Sequence, residues 1–379
     1  MSWLTIQDFV ERRDQQVALL KRLVEIESPS TDKAAVDRVG ALVAEEARRL
    51  GATVTLDAQT LAGDNVIAQW DPAPEAGTGL LLLCHMDTVY DLGALARQPC
   101  VEKDGKLMGP GTVDMKASIA MVLTALRALR DTNRWPRRPV TALFTSDEET
   151  GSDHSRAVIE AQAQRAALVL CLEPCLPDGS LKTWRKGVGD FEIVARGRAA
   201  HAGADHERGR NAIEELAHHV LAAQQLTDYA AGTTVNVGVV SGGSRSNVVP
   251  DEARARIDMR VMSAAEAERI GAWMQARQPV LKGTSLEITG GLNRPPMPRD
   301  ALMGQTFQRA RQIAATIGLN LTEGGTGGGS DANFVAPLGI PVLDGLGALG
   351  NGAHSEREHI VIGSLPERTA LLGALIGNW

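Results

Sequence analysis

The sequence predicts an α/β fold interrupted by a second, smaller unit, and three observations carry that prediction. Strand-like apolar runs alternate with amphipathic helical stretches through the first part of the chain, the pattern of a layered α/β domain. Three of those runs end in a histidine or a carboxylate. Leu80–Cys84 leads into His85-Met-Asp87, Val140–Phe144 into Asp147-Glu148-Glu149, and Leu168–Leu172 into Glu173. Between about Lys186 and Asn293 the rhythm changes to β-α-β-β-α-β, the order of a ferredoxin-like unit. A length of 379 residues fits two domains, since one core rarely grows that large.

Taken in order, the first helix is marked by Val17, Leu20 and Val24 on one face, with Thr5 and Asp8 spaced as a capping box. Strands follow at 53–57, 65–70 and 79–84. Ile119, Val122, Leu123 and Leu126 give a helix from about Met115 to Leu129, and the Pro136–Pro139 break precedes the strand that ends at Glu148. In the middle unit, strands are expected at 188–194, 234–240, 254–262 and 285–289, and helices at 211–225 and 264–275. Arg294-Pro295-Pro296 marks the return. A helix near 303–317, a strand at 340–343 and a helix at 365–377 complete the chain, with the glycine-rich stretch 324–329 as a loop. The expected division is residues 1–185 with 294–379 as one domain and 186–293 as an insertion.

Composition narrows the function. A net charge of −7 and the lack of a basic tract argue against nucleic acid as a partner. No apolar stretch approaches the roughly 20 residues of a membrane span. The start, Met1-Ser-Trp-Leu-Thr-Ile-Gln-Asp8, lacks the basic and apolar regions of a signal peptide. Cys84, Cys100, Cys171 and Cys175 form no CxxC pair, so reduced thiols in a cytoplasm are expected.

The strand ends are where open α/β sheets place their chemistry. Imidazole and carboxylate groups delivered there together suit a metal such as zinc, so the residues point to a metal-dependent hydrolase. His85 and Asp87 sit two apart, and a metal-binding imidazole commonly needs a carboxylate on its second nitrogen. Adjacent Glu148 and Glu149 diverge on an extended backbone, leaving one for metal and one for a substrate water. Glu173 ends an apolar strand, an expensive place for an idle charge. Asp114, in Gly109-Pro-Gly-Thr-Val-Asp-Met-Lys116, reads by itself first as the cap of the helix that follows. His354 reads as a loop residue or a distal ligand, and His201 as a structural or a functional histidine. His154, His206, His218, His219 and His359 read as solvated. No phosphate-loop Lys-Ser/Thr follows the glycines of 324–329.

The ordered motifs His85-Met-Asp87-Thr-Val, Gly-Thr-Val-Asp114-Met-Lys, Asp-Glu148-Glu149-Thr-Gly-Ser and Leu-Glu173-Pro resemble those of the co-catalytic di-zinc peptidases. Tyr90 after the first motif, Thr-Gly-Gly-Gly-Ser-Asp331-Ala and the closing His354-Ser are similar to the bacterial glutamate carboxypeptidases of the carboxypeptidase G type. The resemblance implies a zinc-peptidase catalytic domain with an inserted lid and dimerisation domain, working as a homodimer. It implies two zinc ions per subunit, replaceable by other divalent metals. His85 and Glu173 would hold one, Glu149 and His354 the other, and Asp114 would bridge them. Asp87 would orient His85, Glu148 would be the general base, and His201 would reach the partner's site. Asn247 and Arg294 match positions that hold a substrate carboxylate, with Arg260 as a further candidate. The implied activity is cleavage of the amide bond of a C-terminal or N-acylated amino acid in a small substrate; an N-acyl amino acid deacylase or desuccinylase is the alternative. Ser180–Gly187 departs from the carboxypeptidase G pattern, so a strict glutamate preference does not carry over. Two zinc ions and the carboxylates of Asp114, Glu149 and Glu173 would leave one positive charge, which a bridging hydroxide neutralises.

Overall fold

The apolar run Gly79–His85 is a strand buried along its whole length. In the computed structural model, which describes residues 4–70 and 78–379, it is an inner strand of a six-stranded sheet. The segments are β1 (Thr53–Asp57), β2 (Asn65–Trp70), β3 (Gly79–His85), β4 (Val140–Thr145) and β5 (Ala166–Cys171), followed late in the chain by Val342–Leu343. Their spatial order is β1-β2-β4-β3-β5 and then Val342–Leu343. β3 runs parallel to both β4 and β5, while β2 is antiparallel to β1 and β4. Parallel strands buried on both faces read as unbroken apolar runs, which is why Leu80–Leu83 stand out. Burying each leucine contributes about 1.5–3 kcal/mol. That packing fixes the strand end from which His85 projects.

Helices cover this sheet: α1 (Ile6–Val10), α2 (Arg13–Val24), α3 (Lys33–Arg49) and α4 (Ala117–Asp131), with Ala301–Ala315 and Leu365–Asn378 added after the insertion. α4 packs on Leu365–Asn378. The single opening helix expected from the sequence is two helices. The Asp8 carboxylate accepts from Thr5 at the start of α1, and Arg12 Nη1 donates to the Asp8 carbonyl at 2.9 Å, closing α1 before α2 begins. α3, capped by Asp32 and buried through Val36, Val39, Val43 and Ala47, is an element the sequence reading passed over. Of the polar start Met1–Asp8, residues 1–3 lie outside the described residues. Among the described residues, no helix is long and apolar enough to cross a membrane.

The chain divides into two units: Met1–Trp184 with Arg299–Gly325 and Ser330–Trp379, and Arg185–Pro298 with Thr326–Gly329. The second contains β6 (Gly187–Arg196), α5 (Ala212–Gln224), β7 (Thr234–Gly242), β8 (Glu252–Val261), α6 (Ala264–Gln275) and β9 (Ser285–Arg294). The strands lie antiparallel in the order β7-β8-β6-β9, a ferredoxin-like sheet. Along β8, Ala253, Ala255, Ile257, Met259 and Val261 are buried in strict alternation with more exposed neighbours. Asn211 and Ser263 cap the two helices through their side chains. β9 outlasts the expected 285–289 because Gly290, at φ +98°, keeps the strand going where a Cβ would lie 2.1 Å from the Asp190 carbonyl oxygen. His219, read as solvated, is instead fully buried, with Nε2 at 2.7 Å from Glu215.

Candidate metal centre and active site

Adjacent parallel strands β4, β3 and β5 release their carboxyl ends on one edge of the sheet, and the three predicted strand ends converge there. His85, the last residue of β3, is 1% exposed. Its Nε2 lies 3.1 Å from Asp114 Oδ1 and 3.7 Å from Glu173 Oε1. His354 Nε2 lies 3.3 Å from Asp114 Oδ2 and 3.2 Å from Glu149 Oε2. Asp114 thus faces one imidazole with each carboxylate oxygen. It is not a helix cap: the N-cap position of α4 falls on Lys116. Glu148 and Glu149 sit in a one-turn 3-10 helix rather than on extended backbone, so both are turned toward the same cluster. Ligand atoms of His85, Glu148 and Glu173 lie within 4.8 Å of one another, as do those of His85, Asp114 and Glu149.

Asp87 is fully buried and connects the strand ends. His85 Nδ1 approaches its backbone carbonyl at 3.0 Å and its Oδ1 at 3.4 Å. The same carboxylate accepts the backbone N–H groups of Glu148 and Glu149 and the Ser30 hydroxyl. Burial opposes the charge on these groups, and partners decide the outcome. Against its burial, hydrogen bonds to Asp114 and Asp87 lift the His85 pKa well above the ordinary imidazole value. Hydrogen bonds to Asp114, then to Glu149, push His354 up to about 10. Asp114 is held well below the carboxylate range by both histidines despite its burial, whereas burial raises Glu149.

These residues fit a divalent cation. Imidazole nitrogens and carboxylate oxygens are the donors zinc accepts, and among the described residues the ion-pair partners of Asp114 and Glu149 are His85 and His354. Glu149 Oε1 is buried without a hydrogen-bond partner, a costly state that a coordinated cation relieves.

The sequence reading missed the supports of this centre. Asp331 accepts from Thr145 at 3.0 Å and from Ser152 at 2.5 Å, bracing both ends of the turn that bears Glu148 and Glu149. Glu358 accepts from Gly111 N in the segment bearing Asp114 and from the Tyr90 hydroxyl. Thr145 at the end of an apolar run, and an aspartate after the glycines of 327–329, are the signals the sequence offers.

In the second unit, His201 is exposed, and its Nδ1 accepts the backbone N–H groups of Gly203 and Ala204, both at 3.1 Å. In the neutral ring this places the proton on Nε2. Asn247 lies beside it, its carbonyl accepting from Ala202 N at 3.0 Å. Arg294 and Arg260 stand opposite Val188 from the two strands flanking β6. Arg294 is 5% exposed and its chain lies where a Cβ on Gly329 would intrude at 2.8 Å. Arg260 is held by Asp258 through both carboxylate oxygens.

Comparison with known proteins agrees with this geometry. Carboxypeptidase G2 of Pseudomonas sp. (strain RS-16) is 32% identical, the match covering 97% of this chain and 91% of that protein. Acetylornithine deacetylase of Salmonella arizonae is 34% identical over 58% of this chain and 60% of its own length. The fold superposes on the aminopeptidase PepT of Bacillus cereus with a TM-score of 0.78 at 25% identity, covering 96% of this chain and 98% of that one. An M20 family metallo-carboxypeptidase of Sulfolobus solfataricus matches in fold, with a TM-score of 0.73 at 18% identity over 96% of this chain and 99% of that one. Residues 81–378 match the peptidase family M20/M25/M40, and the chain belongs to that family.

Proposed function

We propose that this protein is a zinc-dependent amide hydrolase that releases an amino acid with a free α-carboxylate from a small peptide or N-acyl substrate. The observation that carries this reading is the convergence of His85, Asp114, Glu149, Glu173 and His354 with Glu148 on one sheet edge. Likeness to carboxypeptidase G2 over nearly the whole chain supports the carboxypeptidase form, and likeness to acetylornithine deacetylase keeps N-acyl deacylation as the second reading. His85 and Glu173 would hold one zinc, Glu149 and His354 a second, with Asp114 shared. When bound, the metal supplies Lewis-acid polarisation of the scissile carbonyl and eases ionisation of water near neutral pH.

The chain's own groups do the rest. Glu148 takes the proton of the attacking water and delivers it to the leaving nitrogen. Asp87 keeps the His85 ring and the Glu148–Glu149 backbone in place. His201, protonated at Nε2, donates to the developing oxyanion; such a donor typically contributes a hundred- to a thousandfold in rate. We assign the ferredoxin-like unit as the dimerisation and lid domain, with His201 acting in the partner's site of a homodimer. Arg294 and Asn247 hold the substrate α-carboxylate, Arg294 through a bidentate fork that lysine lacks. Four free cysteines accord with a reducing cytoplasm.

The test compares N-acyl-glutamate, N-acyl-leucine and their α-amides on zinc-loaded enzyme. Amidation is expected to remove most of kcat/KM, and Arg294→Lys to weaken the acids selectively. Equal cleavage of acid and amide overturns the carboxylate clamp, and a preference for leucine moves the deacylase reading ahead.

A further inference from the structure

The segment Gly109–Asp114 delivers Asp114 without forming a strand or a regular helix, so its buried N–H groups need acceptors from elsewhere. Glu358 supplies them. Its side chain is fully buried, and Oε1 accepts from Val113 N at 2.8 Å and Asp114 N at 3.0 Å. Oε2 accepts from Gly111 N at 2.9 Å and lies 2.6 Å from the Tyr90 hydroxyl. The Glu358 backbone carbonyl also receives Gly109 N at 3.3 Å. Glu358 closes the loop that carries His354. That loop leaves the strand Gly350–Asn351 and returns in His359–Val361, which pairs with Lys106–Met108 immediately before Gly109. The Tyr90 hydroxyl lies 2.9 Å from the Ser355 carbonyl oxygen, so it touches the His354 loop and Glu358 together.

We propose that Glu358 is a positioning residue that locks the Asp114 segment to the His354 loop, so that the two loops present their ligands to the metal as one preformed unit. The proposal rests on the reading of Asp114 and His354 as metal ligands. A carboxylate is required rather than any polar group, because both oxygens face donors. In Glu358→Gln the amide NH2 must replace one oxygen. Facing Val113 and Asp114 it would meet two N–H groups. Turned toward Tyr90, whose hydroxyl can rotate to accept, it still leaves Gly111 N without its acceptor. Partners that orient metal ligands without touching the metal typically carry 10–100-fold in metal affinity.

The experiment is a Co²⁺ titration of the full-length metal-free chain, followed by the visible absorption of the bound ion, with circular dichroism recorded on the same samples. Glu358→Gln is expected to weaken Co²⁺ binding about 10–100-fold with an unchanged dichroism spectrum. Tyr90→Phe, which leaves the three N–H groups on Glu358, is expected to shift affinity the same way by less. Wild-type affinity in both variants overturns the proposal. So does a loss of binding that only follows a loss of folded signal, since that is general destabilisation. If the wild-type chain itself gives no saturable Co²⁺ band, the ligand reading fails first and the proposal falls with it.

Discussion

The Asp87 carboxylate accepts the backbone N–H of Glu149 at 3.1 Å, joining the end of β3 to the turn after β4. It also accepts from Glu148 N at 3.2 Å and the Ser30 hydroxyl at 2.6 Å, and its Oδ1 lies 3.4 Å from His85 Nδ1. A residue that looks in sequence like a partner for His85 alone therefore also sets the backbone carrying two acids. Asp87→Ala strands two N–H groups and removes the carboxylate beside His85 Nδ1, leaving that ring nitrogen only the backbone carbonyl of residue 87. The expected outcome is a loss of about 10–100-fold in metal affinity or activity. Metal content after dialysis and kcat at saturating metal read the two effects separately. Full metal retention with wild-type kcat would show that the contacts are incidental.

Glu148 is separated from the ligand role by prediction rather than by distance, since its carboxylate lies near both His85 and Glu173. If it is the base, Glu148→Gln keeps the metal and lowers kcat by at least the 10²–10⁴-fold that general acid–base catalysis contributes. Elemental analysis and single-turnover kinetics check this. Loss of metal from the variant would make Glu148 a ligand instead.

The strand ends were legible in the sequence because β3, β4 and β5 are buried on both faces. Their runs are apolar apart from Thr141 and Thr145 in β4, and a charged residue closing such a run is conspicuous. Asp114 was ambiguous because a carboxylate ahead of a helix is ordinarily a cap, and only the fold places it between His85 and His354. Glu358 was invisible. Its neighbours Arg357 and His359 are polar, and its burial arises from donors on a segment distant in sequence. His219 had a signal that went unread: with Glu215 it lies one turn along the same face as Ala212, Leu216 and Ala223, all buried.

Glu215 gives the ferredoxin-like unit an acid-sensitive anchor. Fully buried, it accepts from Val280 N, Leu281 N, Thr284 Oγ1 and His219 Nε2, while Arg277 Nε lies near the other ring nitrogen of His219. Against its burial, those hydrogen bonds, led by Val280 and Leu281, hold its pKa below the ordinary glutamate value. The folded-state pKa is depressed, so its stabilisation is complete above the unfolded value of about 4.3 and is lost as pH falls through the folded value. Glu215→Gln is expected to cost about 1–3 kcal/mol at pH 7 and to flatten the decline in stability below pH 4. Urea unfolding of the second unit between pH 7 and pH 3 measures both. An unchanged acid slope would place the acid sensitivity elsewhere.

His201 has its Nδ1 occupied by two backbone N–H groups and presents Nε2 from an exposed position in the second unit. If that nitrogen serves the partner's site, separate defects complement. His201→Ala leaves its own Glu148 intact, and Glu148→Gln leaves its own His201 intact. A mixed dimer then holds one site with both groups. After complete exchange of equal amounts, roughly a quarter of wild-type activity is expected, since half of the dimers are mixed and each has one working site. Differently tagged subunits establish exchange, and activity is read on the same sample. Exchange without recovery would place His201 in its own subunit's site or outside catalysis, and a fully active monomer would remove the need for a partner.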